Sequence, residues 1–161
     1  MKNLVLTRID DRLIHGQVMT KWIKETGAEN VVIIDDATAK DEFMINVFES
    51  AVPEDIGIGV FNKKDGVTFF SQPLNAPTLI LVKVPETIVY MVKHGIDIKE
   101  VDLGGMGAKD GRQTLYQYIS TSREEDKCFL DLLEKGIDVY VQIVPQNDKI
   151  PIRSLIDKKG K

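Results

Sequence analysis

The sequence predicts an α/β fold: a three-layer αβα sandwich with a mostly parallel central sheet, built as a single domain over residues 1–161. Three observations carry this reading. Short, β-rich apolar runs recur at 4–9, 31–35, 56–61, 78–84, 100–103 and 137–144. Most are near-continuous rather than alternating, as strands buried on both faces should be. Segments of helical period separate them, so the order is strand, helix, strand, which implies right-handed βαβ units.

The helical segments are read from their stripes. Val18, Met19, Trp22 and Ile23 form the first, and Phe43, Val47, Phe48 and Ala51 form the second. Ile88, Val89 and Val92, then Cys128, Phe129, Leu132 and Leu133, repeat the same spacing and are expected to face the core. Gly27, Gly95 and Gly136 each follow a stripe where a left-handed C-terminal residue is wanted. Ser122 and Glu125 have the spacing of a capping box ahead of the last long helix. No repeat, low-complexity block or linker divides the chain, and the lysine-rich end at Lys158, Lys159 and Lys161 is expected to fray.

Composition narrows the function. Lys and Arg number 21 against 25 Asp and Glu, a formal net charge of −4, which counts against a phosphate-backbone binder needing a basic face. No nucleic acid is expected as a partner. The one cysteine, Cys128, has no partner for a disulfide and no zinc spacing, so a reducing, cytosolic compartment is expected. The start of the chain does not read as a signal peptide. No apolar run reaches the roughly 18 residues of a membrane span, so direct membrane insertion is not expected.

In an open parallel sheet, ligands bind at the carboxyl ends of strands. The loop after the first strand reads Arg8-Ile9-Asp10-Asp11-Arg12-Leu13-Ile14-His15-Gly16-Gln17. His15 stands at the start of the helix that carries Val18 and Trp22, where unpaired amides, including those of Gly16 and Gln17, form an anion site. Arg8 and Arg12 add planar donor forks suited to phosphoryl oxygens. Asp10 or Asp11 is placed to orient an arginine or a ring nitrogen of His15; Asp10 joins the candidate catalytic set, and the residues do not select which aspartate does the orienting. The cations and the helix dipole favour a neutral imidazole, which is a nucleophile. The chemistry suggested is phosphoryl transfer onto His15, with Arg12, Arg8 and the amides stabilising the equatorial oxygens. It calls for no metal and no cofactor. The plainer alternative is a structural ion-pair network with His15 as a helix cap.

The stretch from Arg8 through His15 to Val18, followed by Trp22, resembles the signature of the IIB component of the mannose/fructose/sorbose family of the bacterial sugar phosphotransferase system (PTS). The likeness continues through Val101-Asp-Leu-Gly-Gly-Met106, similar to that family's second glycine-rich turn, and spans almost the whole chain. The resemblance implies that the histidine matching His15 takes a phosphoryl group on Nδ1 from a phosphohistidine of the IIA component. It then passes the group to a sugar carried by the membrane components IIC and IID. It implies a cytoplasmic protein held peripherally at the membrane through IIC and IID. The lack of a linker points to a IIB unit on a chain separate from IIA. A homodimer is a further option, and nothing in the residues selects the sugar.

The second loop, Gly104-Gly105-Met106-Gly107, is read as leaving the strand at Leu103, with Gly104 and Gly105 letting backbone approach a phosphoryl group. A flexible turn is the competing reading. Lys109 and Arg112 are read as a solvated basic turn. His94, at a helix C-terminus, is read as structural, Cys128 as a small core residue and Trp22 as a core anchor. Two other functions stay open from the residues alone. One is a regulatory module holding a phosphometabolite or phosphorylated partner without covalent chemistry. The other is a histidine phosphatase, for which Asp10 and Asp11 do not establish a leaving-group acid.

Overall fold

The computed structural model describes residues 1–159. Among these residues nine strands run in chain order: β1 (Leu4–Asp10), β2 (Asn30–Ile34), β3 (Gly57–Phe61), β4 (Thr78–Val82), β5 (Glu100–Gly105), β6 (Gln113–Tyr116), β7 (Ile119–Thr121), β8 (Asp138–Val141) and β9 (Ile150–Pro151). The helices are α1 (Gly16–Thr26), α2 (Glu42–Ala51), α3 (Lys63–Phe70), α4 (Pro85–Lys93), α5 (Arg123–Glu134) and α6 (Ile152–Lys158), with a 3-10 turn at Thr38–Lys40. The main sheet has seven strands in the order β3-β2-β4-β1-β5-β8-β9, parallel except for β9. The three-layer expectation holds, and its physical basis is visible residue by residue. Val31 and Ile33 of β2, with Leu79 and Leu81 of β4, pack with Met19, Trp22 and Ile23 of α1 and Phe48 of α2. Val32, Ile34, Ile80 and Val82 face the other way, toward Phe70, Ile88, Met91, Phe129, Leu132 and Leu155 on α3 to α6. Alternate residues of one strand thus enter two cores, which is why the runs read as continuously apolar.

Helix ends follow the expected chemistry. Gly27, Gly95 and Gly136 all have positive φ, between 69° and 89°. Ser122 accepts from the Glu125 amide while the Glu125 side chain accepts from the Ser122 amide, a complete capping box.

Four readings need correction. In the second helix the period is right and the face is wrong: Phe43 is 73% exposed and Val47 41%, while Phe48 is buried and Met44 partly so. That helix packs near β3, the outer strand of the sheet, and has only one side to cover. The strand carrying Asp102 runs on to Gly105 rather than ending at Leu103. Lys159 does not fray: its ammonium donates to Asp126 at 2.6 Å and to the Thr121 carbonyl at 2.7 Å, pinning α6 to α5. Lys158 ends α6, and Lys161 lies outside the described residues. Arg112 is no solvated turn residue, because its buried guanidinium makes two hydrogen bonds to Glu125, at 2.9 and 2.8 Å, and a third to the Gly107 carbonyl.

Candidate functional site

Strand order places the site. The connection from β1 runs toward β2 on one side, and that from β5 runs toward β8 on the other, so the crevice above β1 and β5 is a topological switch point. At the end of β1 the chain turns through Asp11–Ile14, with Leu13 buried at φ 57°, and reaches His15, the N-cap of α1. His15 has an extended backbone and makes no side-chain cap, and the first turn of α1 contains no acidic residue. The amides at that end therefore keep their capacity for an anion. Gly16 follows with φ 47°, a conformation that a β-carbon would strain, and open space lies beside it; Gln17 is exposed.

Asp10 is the hub of the site. Fully buried, it accepts from the Arg12 backbone amide at 3.1 Å, from Arg12 Nε at 3.0 Å and Nη2 at 3.1 Å, and meets His15 Nε2 at 3.0 Å. Burial alone would raise its pKa, but the hydrogen bonds from Arg12 and His15 outweigh it and hold the carboxyl below its ordinary value. An ionised Asp10 only accepts, so the ring proton of His15 belongs on Nε2, which leaves the lone pair on Nδ1. The imidazole is about one-fifth exposed (21%) and Arg12 about half (53%). Part of the Arg12 fork thus faces solvent beside the imidazole while its other edge clasps Asp10. Asp11 stands apart, accepting from the Gly107 amide at 2.8 Å.

Arg8 departs from its assignment as a donor to substrate. It is fully buried, with Nη1 donating to Asp102 at 2.5 Å and to the Gln142 carbonyl at 2.9 Å, and Nη2 donating to the Ile143 carbonyl at 2.9 Å. Asp10 Oδ2 lies 3.5 Å from Nη2, and the guanidinium carbon sits 5.1 Å from the centre of the Trp22 ring, a cation–π contact. A guanidinium so enclosed has no face for a phosphoryl oxygen. Trp22 is therefore a core residue that also caps Arg8, and its own Nε1 donates to Ile143.

Gly104 and Gly105 lie in β5, and their missing side chains have a local use. A β-carbon on Gly104 would overlap the Arg8 guanidinium. One on Gly105 would stand 2.9 Å from Asp10 Oδ1 and 3.1 Å from Arg12 Nη2. The register between β1 and β5 shifts here, pairing Ile9 with Leu103 but Asp10 with Gly105. The irregularity coincides with the buried arginine.

Asp102 escaped the sequence reading, although a signal existed. A charge inside the apolar run Val101-Asp102-Leu103 requires a buried partner, and Arg8 inside the first run requires one too. The two are register partners across β1 and β5. Also missed was the β6–β7 hairpin, whose tip exposes Tyr118 (91%) beside a shallow apolar cleft of about 250 Å³ bounded by Arg12, Gly105, Met106, Ile119 and Ile143. His94 Nδ1 donates to the Tyr90 carbonyl one turn back on its own helix, at 2.8 Å. Cys128 is half-buried and burial pushes its thiol up to about 11, away from nucleophilic chemistry.

Comparison with known proteins agrees with this geometry. The model of the PTS system sorbose subfamily IIB component matches residues 4–161. The fructose-specific EIIB component of Bacillus subtilis is 30% identical over 91% of this chain and 91% of its own. The mannose-specific EIIAB component of Escherichia coli is 29% identical over 97% of this chain, which corresponds to 49% of that larger protein. The crystal structure of the IIB domain of the sorbose permease from Klebsiella pneumoniae superposes with a TM-score of 0.92 at 28% identity, covering 98% of both chains. With strand order, helix placement and the loop after β1 already in hand, these likenesses assign the chain to the sorbose subfamily of PTS IIB components, phosphocarrier subunits of sugar transport.

Proposed function

We propose that His15 is the phosphoryl acceptor and donor of this subunit and that it reacts through Nδ1. The observation that carries the reading is the 3.0 Å contact between His15 Nε2 and the buried carboxylate of Asp10. It holds the ring proton on one side and leaves the other nitrogen free at the uncapped end of α1. The Nδ1 lone pair attacks phosphorus on a phosphohistidine of IIA, and a new N–P bond forms. The old N–P bond breaks, its electron pair returning to the donor ring. The proton on His15 Nε2 stays in place, and Asp10 compensates the positive charge that builds on the imidazole. Arg12 and the amides of Gly16 and Gln17 face the phosphoryl oxygens. Arg8 acts behind Asp10 as a positioning residue, and Gly104 and Gly105 make room for the two arginines. In the second transfer a sugar hydroxyl oxygen at IIC and IID attacks phosphorus, the N–P bond to His15 breaks with its electron pair returning to Nδ1, and the hydroxyl proton passes to solvent; docking on IIC and IID would hold the protein at the membrane surface. Among the described residues no helix is long and apolar enough to cross a membrane. The whole of residues 1–161 acts as one IIB domain.

The test is to incubate wild type and His15→Ala with phosphoenolpyruvate, the general phosphocarrier proteins and a IIA of this family, then read intact mass and acid lability. One acid-labile phosphoryl group on wild type alone supports the reading. Equal labelling of the variant would refute the site. No adduct on wild type, with the IIA donor confirmed as phosphorylated, would favour a module that binds phosphorylated ligands without covalent chemistry.

A further inference from the structure

We infer that Asp102, acting through Arg8, is a positioning residue for His15, because it holds the Arg8 guanidinium back from the carboxylate oxygen that orients the imidazole. The inference rests on His15 being the acceptor. Asp102, Arg8 and Asp10 are all fully buried and form a row of alternating charge that ends at His15 and Arg12. Such a row is a poor way to stabilise a sheet, since apolar residues of the same volume do as well or better. Its retention comes with two further structural costs. Among the described residues Arg8 Nε is buried without a hydrogen-bond partner, and position 104 admits no side chain. Both point to a role beyond packing.

The distances define that role. Arg8 lies 2.5 Å from Asp102 but 3.5 Å from Asp10 Oδ2, the oxygen that meets His15 Nε2 at 3.0 Å. While Asp102 is charged, Arg8 is drawn toward β5 and Oδ2 remains a strong acceptor for the ring. If Asp102 loses its charge, the nearest unbalanced anion for Arg8 is Asp10, and the guanidinium then competes with His15 for Oδ2. Burial pushes the Asp102 carboxyl up to about 6, against the opposing effect of Arg8, so its charge is held near the point of loss. The charged and titratable groups facing it are Arg8 and Asp10 from β1 and Tyr140 from β8, whose hydroxyl donates to Glu100. The Gln142 amide also donates to Asp102 Oδ1, at 2.9 Å, and uncharged Trp22 of α1 covers the guanidinium.

The experiment compares wild type with Asp102→Asn. Three quantities are read: thermal unfolding, the imidazole Nε2–H resonance of His15 in nitrogen-edited NMR, and kcat and KM for phosphoryl transfer from phosphorylated IIA. The expected result is cooperative unfolding, a His15 Nε2–H signal moved toward a weaker hydrogen bond, and one phosphoryl group still accepted. The kcat should fall about tenfold, equivalent to weakening one hydrogen bond to the reacting ring, with KM unchanged because Asp102 touches no partner. A folded variant with wild-type kcat and an unmoved resonance would overturn the inference and leave Asp102 as a sheet residue. If Asp102→Asn fails to fold, the pair Arg8→Met with Asp102→Leu removes both charges together. With no guanidinium left to compete for Asp10 Oδ2, this pair should keep the wild-type resonance and kcat, and a signal moved toward a weaker hydrogen bond together with a slowed kcat would overturn the proposal. Should wild type accept no phosphoryl group, the assignment of His15 as acceptor fails. The resonance would still report whether Asp102 governs the imidazole.

Discussion

Gly104→Ala places one methyl group where the Arg8 guanidinium lies. A flexible side chain would swing away, but this one is held by Asp102, by the carbonyls of Gln142 and Ile143, and by the Trp22 ring. Relief therefore requires either β5 to move away from β1 or Arg8 to leave its partners. Overpacking of a tight core costs about 1–3 kcal/mol. Breaking a buried ion pair costs about 3–5 kcal/mol, because one charge is left without compensation. The two are alternatives rather than additive, so the expected loss is about 3 kcal/mol, or roughly 6–12 °C in melting temperature for a domain of this size. Gly105→Ala should cost less, since its β-carbon meets Arg12 and Asp10 at 2.9 to 3.1 Å and the Arg12 end is half in solvent. Gly107→Ala should cost nothing measurable, having only an ordinary 3.6 Å contact with Asp11. Urea denaturation and calorimetry of the three variants give the order directly. A Gly104→Ala protein as stable as wild type but slow in phosphoryl transfer would refute this reasoning and return Gly104 to the phosphate-approach role.

Arg12→Ala is expected to slow transfer from phosphorylated IIA by about a hundredfold, the usual loss of one preorganised donor. Arg12→Lys should recover only part of that rate, because one ammonium cannot reproduce the two bonds to Asp10 made by Nε and Nη2. Full activity in the lysine variant, measured by initial rates, would sink the bidentate argument. Stability should also depend on pH with opposite signs at the two buried aspartates. Asp102 is raised in the fold to about 6, so its contribution falls as pH rises from about 4 to about 6, by about 3 kcal/mol. Asp10 is lowered, so its contribution is complete above the ordinary carboxylate range and is lost as pH falls through its folded value. Urea midpoints followed from about pH 3 to about pH 7 should show a shallower alkaline-side decline for Asp102→Asn and a shallower acid-side decline for Asp10→Asn. An unchanged slope in either variant would show that the residue does not titrate as argued.

The sequence was most readable where one physical signal dominated. Strands buried on both faces are continuous apolar runs, and β2 and β4 were plain for that reason. The loop from Arg8 to Gln17 was plain because arginines, aspartates and a histidine rarely crowd a strand end. Signals were weaker where local pattern and packing disagree. Helix α3 carries Gly66, which a helix stripe does not favour, yet that glycine allows close contact with Ile34, 3.0 Å from where a β-carbon would be. Its true marker was the cap, with Asn62 accepting from the Asp65 amide at 2.7 Å. The β6–β7 hairpin and β9 are too short to show a period, and α2 shows a period without revealing which side the sheet lies on.

By itself the sequence determined the layer architecture, the approximate positions of six strands and four helices and the identity of the histidine-bearing loop, because each depends on residues near one another in the chain. Only the tertiary structure decided which arginine faces solvent. Arg8 and Arg12 are alike in composition and four residues apart, but the register of β1 on β5 sets Arg8 opposite Asp102, 94 positions away, and under Trp22. Two residues past the end of that strand, Arg12 meets water. Whether a charge is buried depends on what the rest of the chain brings to its side, and that depends on pairings across the sheet that no local window contains.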